Sequence, residues 1–141
     1  MDVLNFIRIL GVSENMIKKL FRKRIYEILG RFDNSEIKLT SETANFFGQR
    51  SKGIRQIRGN GVLILMNSSL FFEMWHAKKI LEISLSSIRQ IEVTRSFLGK
   101  SRFRDLLKIS FINLEGERDE AAWLVDDLEN WVSTLKSVLT L

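Results

Sequence analysis

The chain has 141 residues, no cysteine and a formal net charge of +5. That length fits one domain with its own core, and the missing thiols exclude disulfides, thiolate metal sites and cysteine nucleophiles. No run reaches the roughly 20 apolar residues of a membrane-spanning helix, and the start lacks the basic stretch and small-residue cleavage site of an export signal. The expected place is cytoplasmic, with a peripheral position at a membrane left open by the basic excess, which favours anionic partners.

Residues 3–10 read as a short apolar helix ending before Gly11. The next helix spans 14–29, with Ser13 as N-cap and Gly30 as its stop. Ile17, Leu20, Phe21, Ile25, Ile28 and Leu29 follow the helical period, but Arg24 falls on the same apolar arc. Residues 1–35 are therefore taken as a helical extension, able to associate with a second copy, and 36–141 as the domain proper.

From residue 43 the pattern changes to period two. Strands are expected over 43–50, at Val62–Met66, at Leu70–Trp75, around Leu81–Leu85, around Ile91–Val93, at Leu107–Phe111 and at Ala121–Val125. Gly59-Asn60-Gly61, Asn67-Ser68-Ser69 and Asn113-Leu114-Glu115-Gly116 read as turns between them. Lys100-Ser101-Arg102-Phe103-Arg104 reads as a charged loop after Phe97 and Leu98, which could dip into a membrane. A final helix over 127–139 places Leu128, Trp131, Val132, Leu135, Val138 and Leu139 on one stripe, with Asp126 as N-cap and Glu129 completing the capping box. The expected fold is mainly β: a seven-stranded antiparallel sandwich or partly open barrel, capped by a C-terminal helix.

That order of elements resembles the pleckstrin-homology fold. Gly61 to Phe72, an apolar strand that turns at Asn67 into a Leu-aromatic strand, resembles the hairpin of GRAM-type domains. Ile83 to Val93 resembles the segment that follows in that family, and Trp131 sits where pleckstrin-homology domains carry their C-terminal tryptophan. The stretch from Ala44 to Leu135 is similar to an uncharacterised prokaryotic pleckstrin-homology-like family. The resemblance implies a binding module with ligands near the first hairpin. Where GRAM hairpins often carry a basic residue before the Leu-aromatic pair, this chain has Ser69.

Two basic groups are candidates for an anion or lipid-headgroup site: Arg50, Lys52, Arg55 and Arg58 in the first hairpin, and Lys100, Arg102 and Arg104 further on. Guanidinium forks and ammonium groups suit phosphate oxygens. Converging on one face, they would bind acidic lipid. His76, the one histidine, reads as a surface loop residue. Glu115, Glu117, Asp119 and Glu120 read as a solvated turn without calcium-loop spacing. No phosphate loop, dinucleotide fingerprint, nucleophile elbow or zinc spacing occurs, so neither an enzyme nor a cofactor is expected. Trp75 and Trp123 read as core residues and not as a base-stacking platform, so nucleic acid is not an expected partner. The expected role is a non-catalytic module bound to acidic headgroups or an assembly at the membrane surface; the alternative is a protein or peptide module without lipid binding.

Overall fold

The computed structural model describes residues 14–139, with the side chains of residues 14 and 101–103 outside that description. Ser13 and the short helix expected at residues 3–10 lie outside it too. Helix α1 is Glu14–Leu29, closed by Gly30 N–H donating to the Tyr26 carbonyl at 2.8 Å. Seven strands follow among the described residues: β1 Ile37–Gln49, β2 Gly59–Met66, β3 Ser69–Met74, β4 Ile80–Ser84, β5 Ile88–Phe97, β6 Lys100–Ile112 and β7 Arg118–Leu124. Helix α2, Leu128–Leu139, ends the fold.

The strands form one antiparallel sheet in the order β4-β3-β2-β1-β7-β6-β5. Strand β1 joins its halves: the first part pairs with β2, and Asn45 to Gln49 pair with β7. Register shifts between Ser41 and Ala44 and between Phe46 and Gly48 mark where β1 turns, since bulges bend a strand and increase its twist. Gly48 occupies the second with φ 124°. A Cβ there would come within 3.1 Å of Leu98 Cδ1 and 3.0 Å of Gln56.

The sheet curls around a core of Phe46, Leu63, Phe72, Leu107, Ile109 and Trp123, which α2 closes with Trp131 and Leu135. Trp131 is 1% exposed. The helix begins after Asp127, whose φ is 58°. Asp126, expected as its N-cap, instead accepts the Thr43 hydroxyl at 3.3 Å.

Three sequence expectations are corrected by packing. Gly59-Asn60-Gly61 is the start of β2, not a turn. A Cβ on Gly61 would lie 2.4 Å from the Glu73 carbonyl oxygen and 2.6 Å from the Phe72 ring, so glycine serves close strand approach here. Lys100 to Arg104 belong to β6, not a loop; the turn is Leu98-Gly99, both at positive φ, as a tight hairpin requires. Phe97 and Leu98 do not project outward. Thr94 pairs with Leu106 but Ser96 with Ser101, and this large irregularity lets the hairpin tip fold across the outer face. There Phe97, 3% exposed, packs with Phe47, Leu106, Ala122 and Leu124, with Leu98 against them.

Helix α1 lies on the outer face of β2 and β3. Ile17, Ile25 and Ile28 pack against Val62, Ile64, Met66, Phe71 and Trp75. The Phe21 ring stacks on Trp75 at 4.9 Å, and Phe32 meets Phe71 edge-on at 4.9 Å.

Candidate functional site

Alternation along β3 sends Leu70, Phe72 and Met74 into the barrel and Phe71 and Glu73 under α1. The Glu73 carboxylate is buried, with Oε2 2.6 Å from Arg24 Nη2 and 2.8 Å from Arg31 Nη2. Arg24 also donates to the carbonyls of Met74 at 3.0 Å and Trp75 at 3.1 Å. This explains a charge on the apolar arc of α1: it meets a buried acid. Burial pushes the Glu73 carboxyl up, but Arg31 and Arg24 together hold it below the usual glutamate range.

A second buried acid, Asp119 at the start of β7, organises the loop between β1 and β2. It accepts from Gln49 Nε2 at 2.7 Å, the Ser51 hydroxyl at 2.6 Å, the Ser51 N–H at 3.0 Å and the Glu120 N–H at 2.9 Å. Burial raises its pKa, yet the Ser51, Gln49 and Glu120 donors outweigh that and lower it. Glu120 receives Arg50, and Lys108 bridges Glu92 at 2.9 Å to Glu120 at 3.2 Å. The acidic group expected as a solvated turn is thus divided: Glu115 and Glu117 are exposed, whereas Asp119 is buried and Glu120 half-buried. Among the described residues no cluster of histidine, aspartate and glutamate side chains is placed to hold a metal ion. His76 is exposed in the β3–β4 connection.

The end of the barrel away from α2 opens into a groove of about 450 Å³. Leu81 and Ile83 of β4 line one side, and Phe111, Asn113 and Leu114 the other. Lys52, from the β1–β2 loop, and Lys79, from the β3–β4 connection, stand at this opening; Glu82 and Glu115 also border it. Lys79 is half-buried, and its pKa is lowered first by burial and then by the positive charge of Lys52. Among the described residues neither lysine has an ion-pair partner.

The sequence candidates divide by what they already hold. Arg50 is engaged by Glu120 and lies 5.2 Å from the Phe97 ring centroid. Arg58 donates to the carbonyls of Phe47 and Ile54, both at 2.7 Å. Arg104 stands 3.9 Å from Asp126, beside the start of α2. Lys52, Arg55 and Lys100 are exposed, and the Arg102 side chain lies outside the described residues. Through Phe97, which pairs with Lys100, the hairpin tip comes beside Arg50, while Arg104 belongs to another part of the surface. Lys79 was not among the sequence candidates. Its only sequence signal is its place beside Lys78 in a short connection.

No family model and no curated protein matches the chain. Solved structures do. A chain in the 8S snRNP assembly intermediate superposes with a TM-score of 0.54 at 13% identity, over 77% of this chain and 82% of that one. The C-terminal domain of an unknown protein from Leishmania infantum gives 0.51 at 14% identity, over 89% of this chain and 99% of that one. The likeness is one of fold alone.

Proposed function

We propose that this chain is a non-catalytic binding module of the pleckstrin-homology-like kind, which takes an acidic lipid headgroup in the groove at the open end of the barrel. The observation that carries this reading is the pair Lys52 and Lys79, two cations that line one groove and, among the described residues, have no ion-pair partner although Glu82 and Glu115 border the same groove. An anion between them relieves both their repulsion and the cost of burying Lys79. Arg55, exposed on the same loop as Lys52, adds to the attraction, each exposed cation contributing about 1 kcal/mol near an anionic bilayer.

The test is sedimentation with phosphatidylcholine vesicles, with and without acidic lipid. Binding only to acidic vesicles, weakening steeply with salt and lost in the variant Lys52→Glu/Lys79→Glu, supports the reading. Failure to bind acidic vesicles sinks it. A second reading then takes its place, because among the described residues β4 pairs only with β3, and its five residues line the same groove. An unpaired strand edge of this kind accepts an extended peptide by strand addition.

A further inference from the structure

Helix α1 has two faces that carry apolar side chains. The inner one is filled by Ile17, Phe21, Ile25 and Ile28 against the sheet. The outer one exposes Leu20 at 70% and Tyr26 at 59%, with Met16 at 53%. Lys19, Arg22 and Lys23 are interleaved with them and exposed. A helix that has docked its only apolar stripe turns polar groups to solvent; this one turns a mixture of large apolar and cationic side chains. Among the described residues no carboxylate pairs with Lys19, Arg22 or Lys23. The Arg22 guanidinium instead lies 6.0 Å from the Tyr26 ring centroid, above a shallow hollow that Lys23 and Glu27 complete. Among the described residues Glu27 is the one acid on this rim.

We infer that the outward face of α1 is a second contact with an anionic bilayer, in which Leu20 and Tyr26 enter the headgroup boundary while Lys19, Arg22 and Lys23 meet acidic lipid. At 3.6 residues per turn Leu20 and Tyr26 stand about 120° apart, with Met16, Lys19 and Lys23 in the arc between them, so this side of the helix offers apolar area together with attraction to anionic lipid. A second copy of the chain fits less well, because a two-fold contact would set this cation-rich patch against the same patch of its partner. The inference rests on the reading of the chain as an acidic-membrane module. It adds a surface that the groove does not contain, and it fixes how the domain would lie.

The chain has no cysteine, so Leu20→Cys can carry a single environment-sensitive dye on the full-length protein. The expected result is a blue-shifted emission with vesicles containing phosphatidylserine and none with phosphatidylcholine alone. In parallel, Leu20→Ser/Tyr26→Ser should lower affinity for the acidic vesicles roughly tenfold, with an unchanged circular dichroism spectrum because both positions are exposed. If the parent sediments with acidic vesicles but the dye stays in water, this inference falls and the groove reading stands. If the parent does not sediment at all, both fall. A dye shielded without vesicles overturns it as well: shielding that grows with protein concentration means a second copy covers the face, and shielding at every concentration means another part of this chain does.

Discussion

The barrel interior and the interface beneath α1 bury the same kinds of apolar side chain, but they treat charge differently. Inside, Phe46, Phe72, Trp123 and Trp131 pack with aliphatic neighbours, and the buried Asp119 is held by neutral donors from Gln49, Ser51 and Glu120. Under α1, the helix that packs Ile17, Ile25 and Ile28 on the sheet also brings Arg24 onto a buried carboxylate, which Arg31 joins. Apolar contact is non-directional, so Ile17, Ile25 and Ile28 alone would let the helix slide or rotate on the sheet. The paired guanidinium groups, together with the Arg24 bonds to the Met74 and Trp75 carbonyls, give it one seating.

The largest effect that would test this comparison comes from removing the helix. Deleting residues 1–35 should uncover Val62, Ile64, Met66, Phe71 and Trp75 together, a patch of the size that drives association. The truncated chain should aggregate in size-exclusion chromatography. A monodisperse, cooperatively unfolding fragment would show that the outer interface is dispensable. Next, Trp131→Ala should lower unfolding stability by about 3–5 kcal/mol in urea titration, as a buried large-to-small change; a near-neutral midpoint would mean that α2 does not close the core.

Glu73→Gln leaves the apolar contacts in place and removes only the charge. Because both arginines keep partial access to water, it should cost about 1–3 kcal/mol, seen as faster amide exchange in α1 with little change in β6 and β7. Acid should do the same reversibly. The folded Glu73 pKa is lowered, so its contribution is full above the ordinary glutamate value and fades as pH falls through the lowered one. Asp119, lowered in the same direction, should release the β1–β2 loop over a similar range. If exchange in α1 does not respond to acid, Glu73 does not hold the helix. The smallest effect is expected at Arg104→Glu: its ion-pair contact with Asp126 is long and exposed, so stability should move by no more than about 0.5 kcal/mol.

Much of this frame was legible before any coordinates. The helix at 14–29 showed because its apolar positions repeat every turn, and the terminal helix because its stripe surrounds Trp131. Most strands showed through alternation, and β2 as an apolar run of strand length. What was not legible depends on partners distant in the chain. Arg24 looked like a flaw in an amphipathic pattern until Glu73, on another element, came beside it. Gly59 and Gly61 carry a turn signature, and only the neighbouring strand reveals that glycine is needed for close approach. Likewise, Arg50 and Arg58 looked available because the carboxylate and carbonyls that occupy them lie elsewhere in sequence. Charge composition shows how many cations a chain has, not which remain unpaired.

The position of β1 has a consequence for how quickly the chain reaches this form. Strands β1 to β4 pair with sequence neighbours, as do β5 to β7, so each meander forms through short loops. Closure requires Asn45 to meet Leu124 and Gln49 to meet Ala121, residues more than seventy positions apart. Contacts at that separation carry a large loop-closure entropy and slow folding. Joining the two meanders along β1 and β7 is therefore the expected late and rate-limiting event. Substitutions within either meander, already formed when the seam closes, should slow refolding with little effect on unfolding, whereas those at the seam should divide between the two rates.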